Sequence, residues 1–310
     1  MWKRMNWKKE KSKVWLVLFF VFLILMVLSA GIVFKQCVNR RTATERLDSL
    51  QNDINSNTGK TVEESAGEED TLETTKTPPE EDAENDTTEE DTTTTADTDI
   101  DVDILEELGI EIPDKNLDWD ALHGENEDIY AWIYVPDTTV DYPVLQHPTD
   151  NSYYLNHNMD GTRGYPGCIY TEDFNGSDFS DIHSVIYGHN LKDKTMFSSL
   201  HNFEDEELFG EDQYIFIYTE DYVFVYRIFA AYEFSSIHLL DNYDYTNEYV
   251  YEDYLKNIYR TTDRIANVKA DIQVTTADKI VTLSTCTADH DSNRRFLVTG
   301  VLVNPREQGM

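Results

Sequence analysis

Cysteine is scarce in this sequence. Cys37, Cys168 and Cys286 are the only three in 310 residues, too few, and odd in number, for a fold stapled by disulfides. No structural disulfide is expected. Signatures of bound metal are missing too: there is no HExxH and no pair of CxxC. The stretch "DHDSNRRFLVTG" starts like a calcium loop, with Asp289, Asp291 and Asn293, but lacks the glycine at the sixth position and the acid at the twelfth. No GxGxxG or phosphate-binding loop occurs, so neither a metal nor a nucleotide cofactor is expected. Positive charge is in short supply, with 25 Lys and Arg against 60 Asp and Glu and a net charge of −35. That balance argues against a nucleic-acid partner, which needs basic surface. No internal repeat is present.

What is there begins with the N-terminus, "MWKRMNWKKEKSKVWLVLFFVFLILMVLSAGIVFKQCVNRR". Val14 to Phe34 carries no charge. At about 1.5 Å per residue it can cross a hydrocarbon core of about 30 Å. The rival reading is a cleaved signal peptide, whose apolar core is usually about 7 to 15 residues; this run is longer. Six Lys and Arg precede it, and Lys35, Arg40 and Arg41 follow. The heavier basic flank stays in the cytoplasm, which predicts a basic cytoplasmic tail (1–13), one membrane helix (14–34) and a C-terminal bulk outside the cell. Cys37, just past the membrane, reads as incidental.

Residues 40–60 can extend the membrane helix as a short helix. From Thr61 to Asp103 there are 18 Asp or Glu and one Lys, with almost no aliphatic or aromatic residue. Such a segment cannot bury enough apolar surface to offset its ordering entropy. The whole of 35–103 is therefore expected to be a polar, acidic, disordered tether, self-repelling and extended. Apolar density returns at Ile104 and defines a folded domain, 104–310. "NLDWDALHGENEDIYAWIYV" predicts one or two short helices, with Asn126 as an N-cap, leading into a strand at 131–135. Short apolar or alternating runs follow: "VDYPVLQ", "GCIYTE", "SVIYGH", "QYIFIYT", "YVFVYRIFAAYEF", "DIQVTT", "KIVTLSTC" and "RFLVTGVLV". Turn residues separate them, and this spacing predicts a mainly β barrel or sandwich. One segment has another period. Tyr251, Tyr254, Leu255 and Ile258 lie at i, i+3, i+4 and i+7, an amphipathic helix that Thr246 can cap.

The chemistry gathers at "KIVTLSTCTADHDSNRRFLVTGVLV". An isolated cysteine is more often a small buried apolar residue than a nucleophile, and Cys168, after Gly167 in an apolar run, reads that way. Cys286 differs because of its company. It ends a strand. His189 follows an apolar run and a glycine in "SVIYGHN", placed to act as a general acid and base. Arg294 and Arg295 open the next apolar run, where a guanidinium can donate to an oxyanion. Successive strand residues point to opposite faces, so only one of the two can turn toward Cys286. Ser284 shares the thiol's face by the same alternation. A non-catalytic receptor on a stalk is the reading these residues disfavour.

With "TLSTC", the arginines before "FLVTG", "YGHN" and the Met196-Phe197 pair, together with "DIYAWIYVPDTTVDYPVLQ" and "DNSYYLNHNMDG", the chain resembles a class B sortase over most of residues 116–303. The resemblance implies an eight-stranded β-barrel with N-terminal helices and one long helix between late strands. It implies a transpeptidase, with Cys286 forming a thioester with the Thr of a C-terminal sorting motif, His189 exchanging protons and Arg295 holding the carbonyl oxygen. "RFLVTG" is similar to the family's Arg-Phe-Val-Val pattern, which aligns Arg295, not Arg294, with the essential arginine. Asn151 and Tyr154, in "DNSYYL", match a family segment near the cleft and would, with Ser284, bind substrate. The implied partners are surface proteins bearing a sorting signal and an amine of peptidoglycan or its lipid-linked precursor. A hydrolysing cysteine peptidase on the same fold and a pilus-assembling sortase are the alternatives.

Overall fold

The apolar runs become strands because both of their faces find cover. The computed structural model describes residues 2–65 and 102–305. Among these, nine strands form: β1 Ile129–Tyr134, β2 Asp141–Leu145, β3 Ile169–Tyr170, β4 His183–Tyr187, β5 Tyr214–Tyr218, β6 Val223–Ser235, β7 Ala266–Val268, β8 Ile280–Cys286 and β9 Arg294–Leu302. They bond in the order β5-β1-β2-β3-β4-β8-β9-β6, and β5 also pairs with β6. That last pairing closes an eight-stranded barrel. β7 adds to the far half of β6, at Ala230–Tyr232, beyond the reach of β5.

Helices flank the ring: α1 Trp2–Ser65, α2 Val102–Leu108, α3 Trp119–Glu125, α4 Tyr153–Asn156, α5 Glu206–Gly210, α6 Leu239–Asn242 and α7 Glu248–Tyr259, with a 3₁₀ helix at Phe197–Glu204. Alternation along β8 and β9 divides their side chains between two cores. Val281, Leu283, Phe296 and Val298 join Trp132, Ile186 and Val225 in the main core. Ile280, Leu297 and Val301 join Val185, Phe229 and Tyr232 under α7. The buried face of α7 is Tyr251, Tyr254, Leu255 and Ile258, the four residues its sequence period predicts. α7 covers the Ile280 end of this outer wall, where the Tyr251 hydroxyl donates to the Asp278 carbonyl at 2.8 Å. The Cys286 end of the same face has no such cover.

α1 leaves its apolar side chains from Trp15 to Phe34 uncovered, and it anchors the chain in the membrane as a single span. The helix then continues onto the barrel. Ala43, Leu47 and Ile54 are buried and Leu50 packs beside them, a stripe at i, i+4, i+7 and i+11. Arg40 pairs with Asp193 and Arg46 with Glu125. Asn55 reaches the Asp141 carboxylate, which also takes Lys115 Nζ at 2.9 Å and the Trp132 indole N–H at 2.7 Å.

Several expectations change. Residues 35–56 are helix, as the reading of 40–60 allowed, but docked on the barrel rather than part of a free tether, because that apolar stripe has a partner surface. The acidic run lies largely at 66–101, outside the described residues. Asn126 ends α3 instead of starting it: Asp118 caps the N-terminus by accepting from Ala121 N–H at 2.9 Å. The Asn126 amide donates to the Met159 carbonyl at 2.8 Å, and β1 starts earlier than predicted, at Ile129. α7 is capped one residue later than predicted, by Asn247, while the Thr246 hydroxyl donates to Asp244. "DIQVTT" is not a strand; the pairing edge of β6 is met by β7 just upstream, and Thr275 turns back onto the Asp278 carboxylate at 2.7 Å.

Candidate active site

β4 and β8 are parallel neighbours in register, Tyr187 beside Ser284. The last backbone bond between them runs from Gly188 N–H to the Ser284 carbonyl, 3.1 Å. Past that rung, one chain delivers His189 and the other Cys286. β9 returns antiparallel and sets Arg295 directly opposite Cys286. Opposite residues on antiparallel strands share a face, with Cβ atoms about 4.5–5.5 Å apart. Cys286, His189, Arg295 and Ser284 thus line one cleft of about 320 Å³, whose far wall is the 234–239 connection between β6 and α6. A larger hollow, about 880 Å³, lies near the opposite end of β4 beside His183 and Tyr251; no cysteine lines it.

The two arginines part as alternation requires. Arg294 Nε donates to Glu233 at 3.1 Å and its guanidinium meets Asp263 at 2.9 Å, so it is held away from the thiol. Arg295 has no carboxylate partner among the described residues. Its Nη1 donates to the carbonyls of Arg294 and Ser292, at 2.8 and 3.3 Å. Its charge is felt at the Tyr170 hydroxyl on the cleft wall, whose pKa burial raises and Arg295 opposes.

His189 Nε2 lies 2.6 Å from the Leu155 carbonyl oxygen. A carbonyl only accepts, so Nε2 carries the hydrogen and Nδ1 the lone pair. Burial lowers the His189 pKa, partly offset by that hydrogen bond. The residue before His189 has to be glycine for the chain to pack here: a Cβ at 188 would come within 2.6 Å of the Ile169 and Phe197 side chains. Among the thiols, Cys286 is half-buried and faces the cleft. Burial pushes the Cys168 thiol far up, which disarms it. All three cysteines are free.

The structure does not bring every expected residue to the cleft. Tyr154 is buried, its hydroxyl donating to Asp128 at 2.6 Å. Asn151 ties two loops together, accepting from Asp173 N–H at 2.9 Å and donating to its carboxylate. Other residues line the cleft without a signal in the sequence. Glu172 and His238 pair at 2.6 Å between its two walls, and Leu155 and Tyr187 complete them. Among the described residues no group of three His, Cys, Asp or Glu is arranged to hold a metal ion.

A family model described as "Sortase domain" matches residues 133–303, more than half the chain. Sortase B of Listeria monocytogenes is 33% identical over 195 residues, covering 62% of this chain and 76% of that protein. The chain belongs to the class B sortase family. Sortase B of Staphylococcus aureus is 28% identical over 189 residues, covering 60% of this chain and 74% of that protein. The crystal structure of Clostridium perfringens sortase B superposes with a TM-score of 0.53 at 29% identity, over 60% of this chain and all of that one. The Bacillus anthracis sortase B complex with AAEK1 gives 0.52 at 29%, over 60% and 84%. This sortase is a cysteine transpeptidase that acts on a cell-wall sorting signal. Its partners are sorting-signal-bearing surface proteins and cell-wall precursors. The barrel is the fold of its structural relatives.

Proposed function

We propose that Cys286 is the nucleophile, His189 the proton carrier and Arg295 the oxyanion donor of this transpeptidase. The observation that carries the reading is the register of β8 and β9, which sets a guanidinium with no carboxylate partner among the described residues opposite a cleft-facing thiol, with an imidazole beside them. The Cys286 sulfur attacks the carbonyl carbon of the sorting-motif Thr, and the thiol proton passes to His189. Arg295 donates to the oxygen that becomes anionic, the group most in need of a donor in acyl transfer. The C–N bond then breaks, and the leaving amine takes its proton from His189. The resulting thioester accepts an amine of peptidoglycan or its lipid-linked precursor, His189 takes the proton from that amine, and the thiol is restored. Ser284, on the same face, orients substrate or Arg295. The basic tail lies in the cytoplasm and the barrel outside, where both substrates reach the membrane face; the positive charges before the span support this orientation.

The full chain in detergent, given a sorting-signal peptide and a primary amine, should yield the amide product by mass. Cys286→Ala should yield neither thioester nor product, and Cys168→Ala should retain both. Free acid as the sole product at saturating amine would make the enzyme a hydrolase instead.

A further inference from the structure

The backbone ladder between β4 and β8 stops just short of the reactive pair. Its last rung is Gly188 N–H to the Ser284 carbonyl. Two residues further along each strand, a side chain makes the next rung: Asn190 Nδ2 donates to the carbonyls of Cys286 and Thr287, at 3.2 and 3.3 Å. His201, from the 3₁₀ helix, meets both ends of that rung. Its Nε2 lies 3.0 Å from Asn190 Nδ2 and 3.0 Å from the Cys286 carbonyl oxygen. Its Nδ1 lies 2.5 Å from Glu204 Oε1. A carboxylate only accepts, so Nδ1 carries a hydrogen. Nε2 is then free to take one Asn190 N–H while the other goes to Cys286; a proton gained at Nε2 turns its contact with the Cys286 carbonyl into a donated bond. The ring also stacks on buried Phe296, with centroids 4.6 Å apart and planes at 22°.

We infer that Asn190, His201 and Glu204 are positioning residues that set the distance between the His189 imidazole and the Cys286 thiol. This rests on the proposed roles of Cys286 and His189. None of the three lines the cleft. They act on the backbone that carries the reacting atoms. Asn190 follows His189 in the chain and grips the carbonyl of Cys286, so one amide spans the two segments where main-chain pairing has ended. His201 and Glu204 hold that amide in its orientation, as a carboxylate behind an imidazole does in other nucleophile sites. Displacing reacting groups by about 1 Å can cost about a hundredfold in rate, which is the scale on which such a rung matters.

The test uses the full chain in detergent, the same peptide and amine, and four variants: Asn190→Ala, His201→Phe, His201→Gln and Glu204→Gln. His201→Phe keeps a ring on Phe296 and removes both nitrogens; His201→Gln keeps a side chain able to bond the rung. Asn190→Ala and His201→Phe should lower kcat about tenfold to a hundredfold with KM unchanged, and His201→Gln should regain most of the loss. Glu204→Gln should fall between. Wild-type kcat in Asn190→Ala and His201→Phe overturns the inference. So does a kcat loss that tracks Tm across the set and is not relieved in His201→Gln, which marks a merely structural role. If His201→Phe does not fold, Asn190→Ala and Glu204→Gln are read by the same criteria. Cys286→Ala run in parallel separates the two readings: turnover there sinks the nucleophile assignment, whereas a dead Cys286→Ala beside fully active rung variants sinks this inference alone.

Discussion

Arg294 and Arg295 are one residue type given two environments by strand alternation. Arg295 keeps its fork toward the cleft, so Arg295→Ala should cut kcat by roughly a hundredfold or more, the scale of an oxyanion donor of about 2.7–4 kcal/mol. Arg295→Lys should recover little, since a point charge does not reproduce the planar fork. Arg294→Ala should instead lower Tm, because buried Glu233 loses one of its two guanidinium partners and keeps only Arg264; a charged hydrogen bond of this kind contributes about 1.5–3 kcal/mol. Steady-state rates beside thermal melts separate the two, and a dead Arg294→Ala beside an active Arg295→Ala would reverse the assignment. Another residue ties stability to pH. His183 is buried, its Nε2 2.8 Å from the Thr282 hydroxyl and its ring against Tyr245 and Tyr254. Burial lowers its pKa from 6.5 to about 3. Above pH 6.5 both folded and unfolded chains hold it neutral. Below that the unfolded chain gains a proton the native state refuses, so stability falls by up to about 1.4 kcal/mol per pH unit until about pH 3. Urea melts at pH 7 and pH 4.5 should show a smaller acid loss in His183→Gln than in the parent; an equal loss means that His183 is not the group responsible. The positions of Cys286 and His189 at strand ends were legible in local motifs; alternation left Arg294 and Arg295 open, and the resemblance of "RFLVTG" to the family pattern made the choice of Arg295. Glu172, His238 and His201 were not legible. Glu172 and His238 meet across 66 residues and His201 reaches the Cys286 carbonyl across 85, separations that no local pattern encodes.

At the scale of elements, what was readable depended on whether an element's own period named its partner. α7 shows its buried face in four residues, and the structure buries those four. β8 and β9 show theirs as near-continuous apolar runs, since the main core takes one face and α7 the other. "DIQVTT" has strand-like residues but meets no free sheet edge, so propensity yields to pairing. α1 was half legible. Its span is plain, but the Ala43, Leu47, Leu50 and Ile54 stripe lies among polar residues that read as tether until a barrel is there to receive it. Charging that stripe should undo the docking. In Leu47→Asp, amide exchange over residues 40–56 should rise while β4, β8 and β9 stay protected. Unchanged protection over 40–56 would show that this face does not hold the helix. The contacts made by Arg40 and Arg46 are half-exposed and should contribute less than the apolar stripe.

For the whole molecule, 17 of the 35 net negative charges fall between Thr61 and Asp103, yet residues 104–310 themselves hold 38 Asp or Glu against 13 Lys or Arg, so the folded part is strongly acidic in its own right. Phe34, the last residue of the apolar span, is six positions before Arg40, about 9 Å along a helix axis. The barrel is therefore mounted on a short stiff post, not flown on a leash. A leashed enzyme samples a hemisphere whose radius is its tether. A mounted one keeps a single altitude and bearing above the bilayer, and its search for other membrane-borne molecules becomes lateral drift in a plane. Substrates that are themselves held at that height meet the cleft on every correctly turned collision, and a substrate held higher or lower meets only the barrel wall.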